Sequence, residues 1–114
     1  SADALRPTDL FLSVVTVMEI EIGAGLAARR DATQGALLRD WIETRVLPAF
    51  ADRILPIDLA TARSCARFHV AAPRAERDAL IAATALTHGL TVATRNLKDF
   101  EPLGVPTFNP WAAP

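Results

Sequence analysis

Residues 77–100, RDALIAATALTHGLTVATRNLKDF, decide the fold. The stretch opens with an acid, Asp78, and continues through alanines, leucines and an isoleucine at helical spacing. It stops at Gly89, the residue type that most readily takes the left-handed turn after a helix. Residues 90–94 then read as a short strand, and Asn96 and Asp99 come directly after it. A helix followed by a return strand brings its two far ends back to one side. The spacing therefore predicts that Asp78 approaches Asn96 and Asp99 at one edge of a sheet. Clustered carboxylates repel unless a cation lies among them, and a hard ion such as Mg²⁺ is the usual solution. The expectation is metal-assisted phosphoryl chemistry.

Working outward, residues 10–16 (LFLSVVT) read as a buried strand, and Thr16 and Glu19 stand at capping-box spacing before a helix over residues 18–29. Gly23 and Gly25 in that helix suggest close approach of a packed element or ligand. A longer helix is predicted over residues 33–50. Leu37, Leu38, Trp41, Ile42 and Val46 form its apolar face, and Pro48 ends or bends it. That face exceeds what one helix of a small domain needs to bury, so part of it, with the helix around residues 18–26, is expected to meet a partner. Residues 53–57 (RILPI) read as an edge strand, Asp58 as the N-cap of a helix over 59–72, and Pro73 as the residue just past its end. Residues 105–109 form a last short strand, and the tail to Pro114 lies outside the fold. Strands alternating with helices give an α/β sandwich with a mainly parallel sheet.

A chain of 114 residues, 51% hydrophobic, suits a single domain over residues 1–114 with one modest core. Its net charge of −1 argues against a general nucleic-acid coat protein, yet a nuclease needs only a local basic patch. Every Lys or Arg but Lys98 is an arginine, the side chain suited to clamping phosphate. The longest apolar run falls far short of the roughly 20 residues that span a bilayer. No secretory pattern is visible, and a single Cys65 forms no internal disulfide. The expectation is a cytoplasmic protein with no membrane partner.

Each candidate residue has a plainer structural reading beside the functional one. Glu19 is otherwise the capping partner of Thr16, and Asp78 a first-turn acid favoured by the helix dipole. Asp99 is otherwise solvated or in an Asx turn, while Asn96 bonds its own loop or holds a metal-bound water. Glu21 must point elsewhere on the helix than Glu19. Asp40, Glu43 and Asp52 read as solvated charges, and Glu76 as peripheral to the site. His69 and His88 have no partners at zinc spacing, and Cys65 sits on the apolar side of its helix. There is no GxSxG elbow, and the GAG at residues 23–25 lacks the ending of a phosphate loop.

These motifs together carry a family resemblance. SVVTVMEIEIG, residues 13–23, resembles the S-x-x-T-x-x-E-x-x-x-G segment of PIN-domain proteins. Residues 78–101, with GVPTFNPW at 104–111, resemble the C-terminal half of VapC/FitB-like toxins. The resemblance implies a PIN-like three-layer sandwich and a small endoribonuclease from a toxin–antitoxin pair, hydrolysing RNA with Mg²⁺ or Mn²⁺. It implies a homodimer silenced by an antitoxin that also binds operator DNA. Carried over by position, Glu19, Asp78 and Asp99 are the catalytic acids. Glu19 and Asp78 hold metal, approach each other, and are joined by Asn96 or Asp99 at the fourth acidic position. Thr16 and Thr94 supply hydroxyls behind these ligands, and Arg95 and Lys98 contact RNA phosphate.

The chain departs from the family pattern at two places. Asn96 keeps an oxygen donor but removes a charge. The strand that ends in an Asp-Thr-Asn type motif has no match before Leu10. The resemblance thus implies a chain that begins roughly 30 residues late, judged against usual domain sizes. The central first strand and its Asp are then expected from another segment or chain, without which the 114 residues do not fold alone. An inactive PIN-fold module that binds antitoxin or RNA is the alternative, and a phosphatase or DNA nuclease using the same acids is a third reading.

Overall fold

The computed structural model describes residues 7–71 and 75–109. Pro73, expected to follow a helix end, and the tail at 110–114 lie outside the described residues. Chain contacts divide the molecule into two units, Leu10–Leu55 and the chain on either side of it.

In the first unit, strand β1 (Leu12–Ser13) pairs in parallel with β2 (Ile54–Leu55), Leu12 opposite Ile54 and Ser13 opposite Leu55. β1 is shorter than the expected 10–16 because helix α1 (Val14–Arg30) begins inside the β-branched run. Ser13 has extended backbone, and its Oγ accepts the Val15 N–H at 3.0 Å. The cap is therefore Ser13, not Thr16, which lies within the first turn of α1. A satisfied backbone donor and the burial of Val15 outweigh the weak strand preference of Val and Thr.

Asp31 ends α1 and caps α2 (Ala32–Trp41), its Oδ1 accepting the N–H groups of Thr33 at 3.0 Å and Gln34 at 3.2 Å. One residue thus turns the chain between two packed helices. Their close approach is at Gly35, which is buried. A Cβ there would overlap the Cβ and Cα of Ala28 and stand 2.9 Å from the Ala28 nitrogen. Gly23 and Gly25, the expected points of close approach, face open space, since an added Cβ meets nothing within 4 Å.

After Trp41 the helix widens into one π turn, Ile42–Val46, then closes with α3 (Leu47–Ala49). The Leu47 N–H reaches back five residues to the Ile42 carbonyl. Pro48 supplies the cause: it has no N–H, and its ring would clash with the carbonyl four residues before it, that of Thr44. A π turn just ahead of the proline shifts the ladder and lets the helix continue through it. Ile42 and Val46 are buried, whereas Leu37 and Trp41 remain 62% and 46% exposed. Arg53 ties the unit together. Its Nε donates to the Leu10 carbonyl and its Nη2 to the Ala49 carbonyl, both at 2.8 Å, and its guanidinium lies 5.4 Å from the Phe50 ring centre.

In the second unit, Asp58 caps α4 (Leu59–Ala71) by accepting the Thr61 N–H at 2.8 Å. α5 (Glu76–Thr87) starts two residues before Asp78 and ends at Gly89, whose φ is 65°. The Gly89 N–H donates to the Leu86 carbonyl and that of Leu90 to the Ala85 carbonyl, the paired bonds of a Schellman ending. β3 (Val92–Ala93) pairs in parallel with β4 (Thr107–Phe108), and between them run α6 (Leu97–Phe100) and a 3-10 turn, Glu101–Leu103. The core joins Ala82, Ala85, Val92, Phe100, Leu103 and Val105, and Phe68 links it to Cys65, Ala79 and Ala83. The alanine face of α5 lets α4 and the sheet close over it without long side chains to order. The described strands form two two-stranded sheets, both parallel, in a mostly helical chain.

Candidate functional site

Asp78 is the third residue of α5 and half-buried. Its carboxyl is pushed above the usual carboxylate range, first by burial and then by the negative charge of Asp99. The helix–strand return thus places the two acids within electrostatic reach of each other. Asp99 lies in the first turn of α6, and its N–H donates to the Asn96 carbonyl at 3.1 Å.

Thr94 anchors this loop. Its N–H donates to the Phe108 carbonyl at 3.0 Å, tying it to β4, and its Oγ1 accepts the Asn96 N–H at 3.0 Å. Beyond that anchor lies a recess of about 360 Å³ lined by Arg95, Asn96, Leu97, Lys98 and Asp99. Asn96 occupies the N-cap position of α6, yet its side chain makes no capping bond and is exposed. Lys98 is exposed too and is the only lysine in the chain. Leu97 is the lining residue that sequence reasoning misses, since an apolar side chain carries no chemical signal of its own.

In the other unit, Glu19 is half-buried in the second turn of α1. With Ser13 as the cap, Thr16 and Glu19 do not form the capping box that their spacing allows. Thr16 is half-buried one turn before Glu19. Glu21 is engaged by Arg39, whose guanidinium also stands 3.9 Å from Glu43. This leaves Glu21 the poorer ligand candidate.

The donors that line the recess are oxygen only, the Asp99 carboxylate and the Asn96 amide, with the Asp78 carboxylate within electrostatic reach of Asp99, a set that suits Mg²⁺ or Mn²⁺ over softer metals. Among the described residues of this unit, no group of three or more His, Cys, Asp or Glu side chains gathers closely enough to hold a metal ion. An ion held by Asp78 and Asp99 would complete its shell with water and the Asn96 carbonyl oxygen, as Mg²⁺ commonly does with few carboxylates.

The sequence profile of the PIN domain matches residues 1–103. The chain belongs to the PIN-domain family. Over 114 residues this PIN domain is 40% identical to VapC ribonuclease Y4jK of Sinorhizobium fredii, covering 96% of the chain and 80% of that protein. It is 40% identical to toxin FitB of Neisseria gonorrhoeae, covering 96% of the chain and 81% of the relative. Plasmid stability protein StbB of Pseudomonas syringae is 38% identical, with 97% and 82% covered. The fold agrees with the crystal structure of FitAcB from Neisseria gonorrhoeae at a TM-score of 0.87 and 37% identity, over 97% of this chain and 82% of that one. The structure of FitAB bound to the IR36 DNA fragment matches at 0.85 and 36% identity, over 98% and 80%. The PIN fold and kinship with the VapC/FitB toxins are thereby established, and the relatives place the chain in a ribonuclease family.

Proposed function

We propose that this PIN domain is the toxin of a toxin–antitoxin pair, a metal-dependent endoribonuclease that hydrolyses RNA phosphodiester bonds. The observation that carries the reading is the pairing of half-buried Asp78 with Asp99 beside a recess edged by Arg95 and Lys98. The charge of Asp99 adds to the burial that raises the Asp78 carboxyl, a repulsion that a bound cation would relieve, and two basic residues alongside suit a phosphate backbone. Mg²⁺ or Mn²⁺, when bound, supplies polarisation of the phosphate and acidification of the attacking water. Asp78 and Asp99 offer carboxylate oxygens, and Asn96 an uncharged one. The Thr94 hydroxyl holds the backbone that carries Asn96. Arg95 and Lys98 orient the phosphate through charge. Glu19 enters the reading through its motif, and Thr16 lies on the same helix.

The same reading extends to partners. Relatives are seen as FitAcB and as FitAB on DNA. An antitoxin and a second copy of this chain are the proposed occupants of the apolar side chains that α1 and α2 expose: Met18, Leu26, Leu37 and Trp41 at 43%, 51%, 62% and 46%. No described helix is long and apolar enough to cross a membrane. We place the protein in the cytoplasm, where its RNA substrate is found.

The test is cleavage of a labelled single-stranded RNA with Mg²⁺ or Mn²⁺ and with EDTA. Asp78→Asn, Asp99→Asn and Glu19→Gln are each expected to abolish metal-dependent cleavage with the fold intact by circular dichroism. Wild-type cleavage by any one of them means that residue is wrongly assigned. Asn96, an amide in place of an acid, favours a second reading, a PIN module that binds antitoxin or RNA without cutting. An RNA-binding wild type that cleaves nothing with either metal selects it.

A further inference from the structure

We draw no further inference here: the strongest candidate, the outer face of α4, where Leu59 and Val70 stand 74% and 88% exposed along a stripe with Arg63 and Arg67, carries nothing because nothing in the structure shows what covers it.

Discussion

Replacing Gly35 by alanine tests the packing that holds α1 against α2. Alanine is the better helix former by about 1 kcal/mol, so propensity alone predicts a more stable protein. The structure predicts the reverse. The new methyl would overlap the Ala28 Cβ and Cα and sit 2.9 Å from its nitrogen. Two of those three atoms are backbone, so no rotamer change relieves the contact, and the helices must separate. Overpacking of this kind costs about 1–3 kcal/mol or more. After the propensity gain, a net loss of up to about 2 kcal/mol remains. With a urea slope of about 1–3 kcal/mol per molar, a loss of about 2 kcal/mol lowers the midpoint by roughly 0.7–2 M. Urea denaturation followed by circular dichroism reads this directly. Gly23→Ala and Gly25→Ala are the matched controls, since their added methyls meet nothing within 4 Å, and each should gain about 0.5–1 kcal/mol. A Gly35→Ala protein as stable as those controls would refute the close approach of the two helices.

Ser13→Ala should cost about 1 kcal/mol by removing the cap of α1, whereas Thr16→Val should leave the cap untouched; thermal melts of the pair locate the true helix start. Arg53→Ala removes two hydrogen bonds to carbonyls and the contact with Phe50, and should lower stability by about 2 kcal/mol, with Arg53→Lys restoring only part of it because an ammonium lacks the planar fork. For Asp78 the raised pKa means that ionising it opposes folding: this contribution is absent below the unfolded value of 3.8 and stability falls as pH rises through 3.8 to the folded value. In metal-free buffer Asp78→Asn should therefore be more stable than wild type at pH 7 and lose that advantage in acid, and a variant less stable at pH 7 would show the carboxylate to be favourably held. Asp99→Asn should bring the Asp78 titration, followed by NMR, back toward the usual range without fully restoring it, since burial remains; an unmoved titration would show that the two acids do not interact.

The parts of the fold that were legible in the sequence are those that local chemistry controls. Asp58 caps α4, Gly89 closes α5 with a left-handed residue, and the alternation of strands and helices gives parallel ladders. The helix and return strand that carry Asp78 and Asp99 were legible for the same reason, and the charge of Asp99 adds to the burial that raises the Asp78 carboxyl. Ser13 was missed although its signal was present: a cap hydroxyl directly before a helical apolar pattern was outweighed by the β-branched Val-Val-Thr-Val run. The close contact fell on Gly35 and not on Gly23 or Gly25, because only the register between α1 and α2 decides which glycine faces a backbone. The π turn is set by a residue beyond its own span, since Pro48 acts on a carbonyl one turn earlier. The apolar face of residues 37–46 split between core and surface because helical spacing counts hydrophobic positions without saying what lies opposite them.

Lys98 has a practical consequence. Within these 114 residues every other basic side chain is an arginine or histidine, so Lys98 offers the one side-chain amine to an amine-reactive dye. A fluorophore can thus be set on the rim of the recess without mutagenesis, and RNA or an antitoxin arriving there would report itself as protection of Lys98 from labelling, read by peptide mapping.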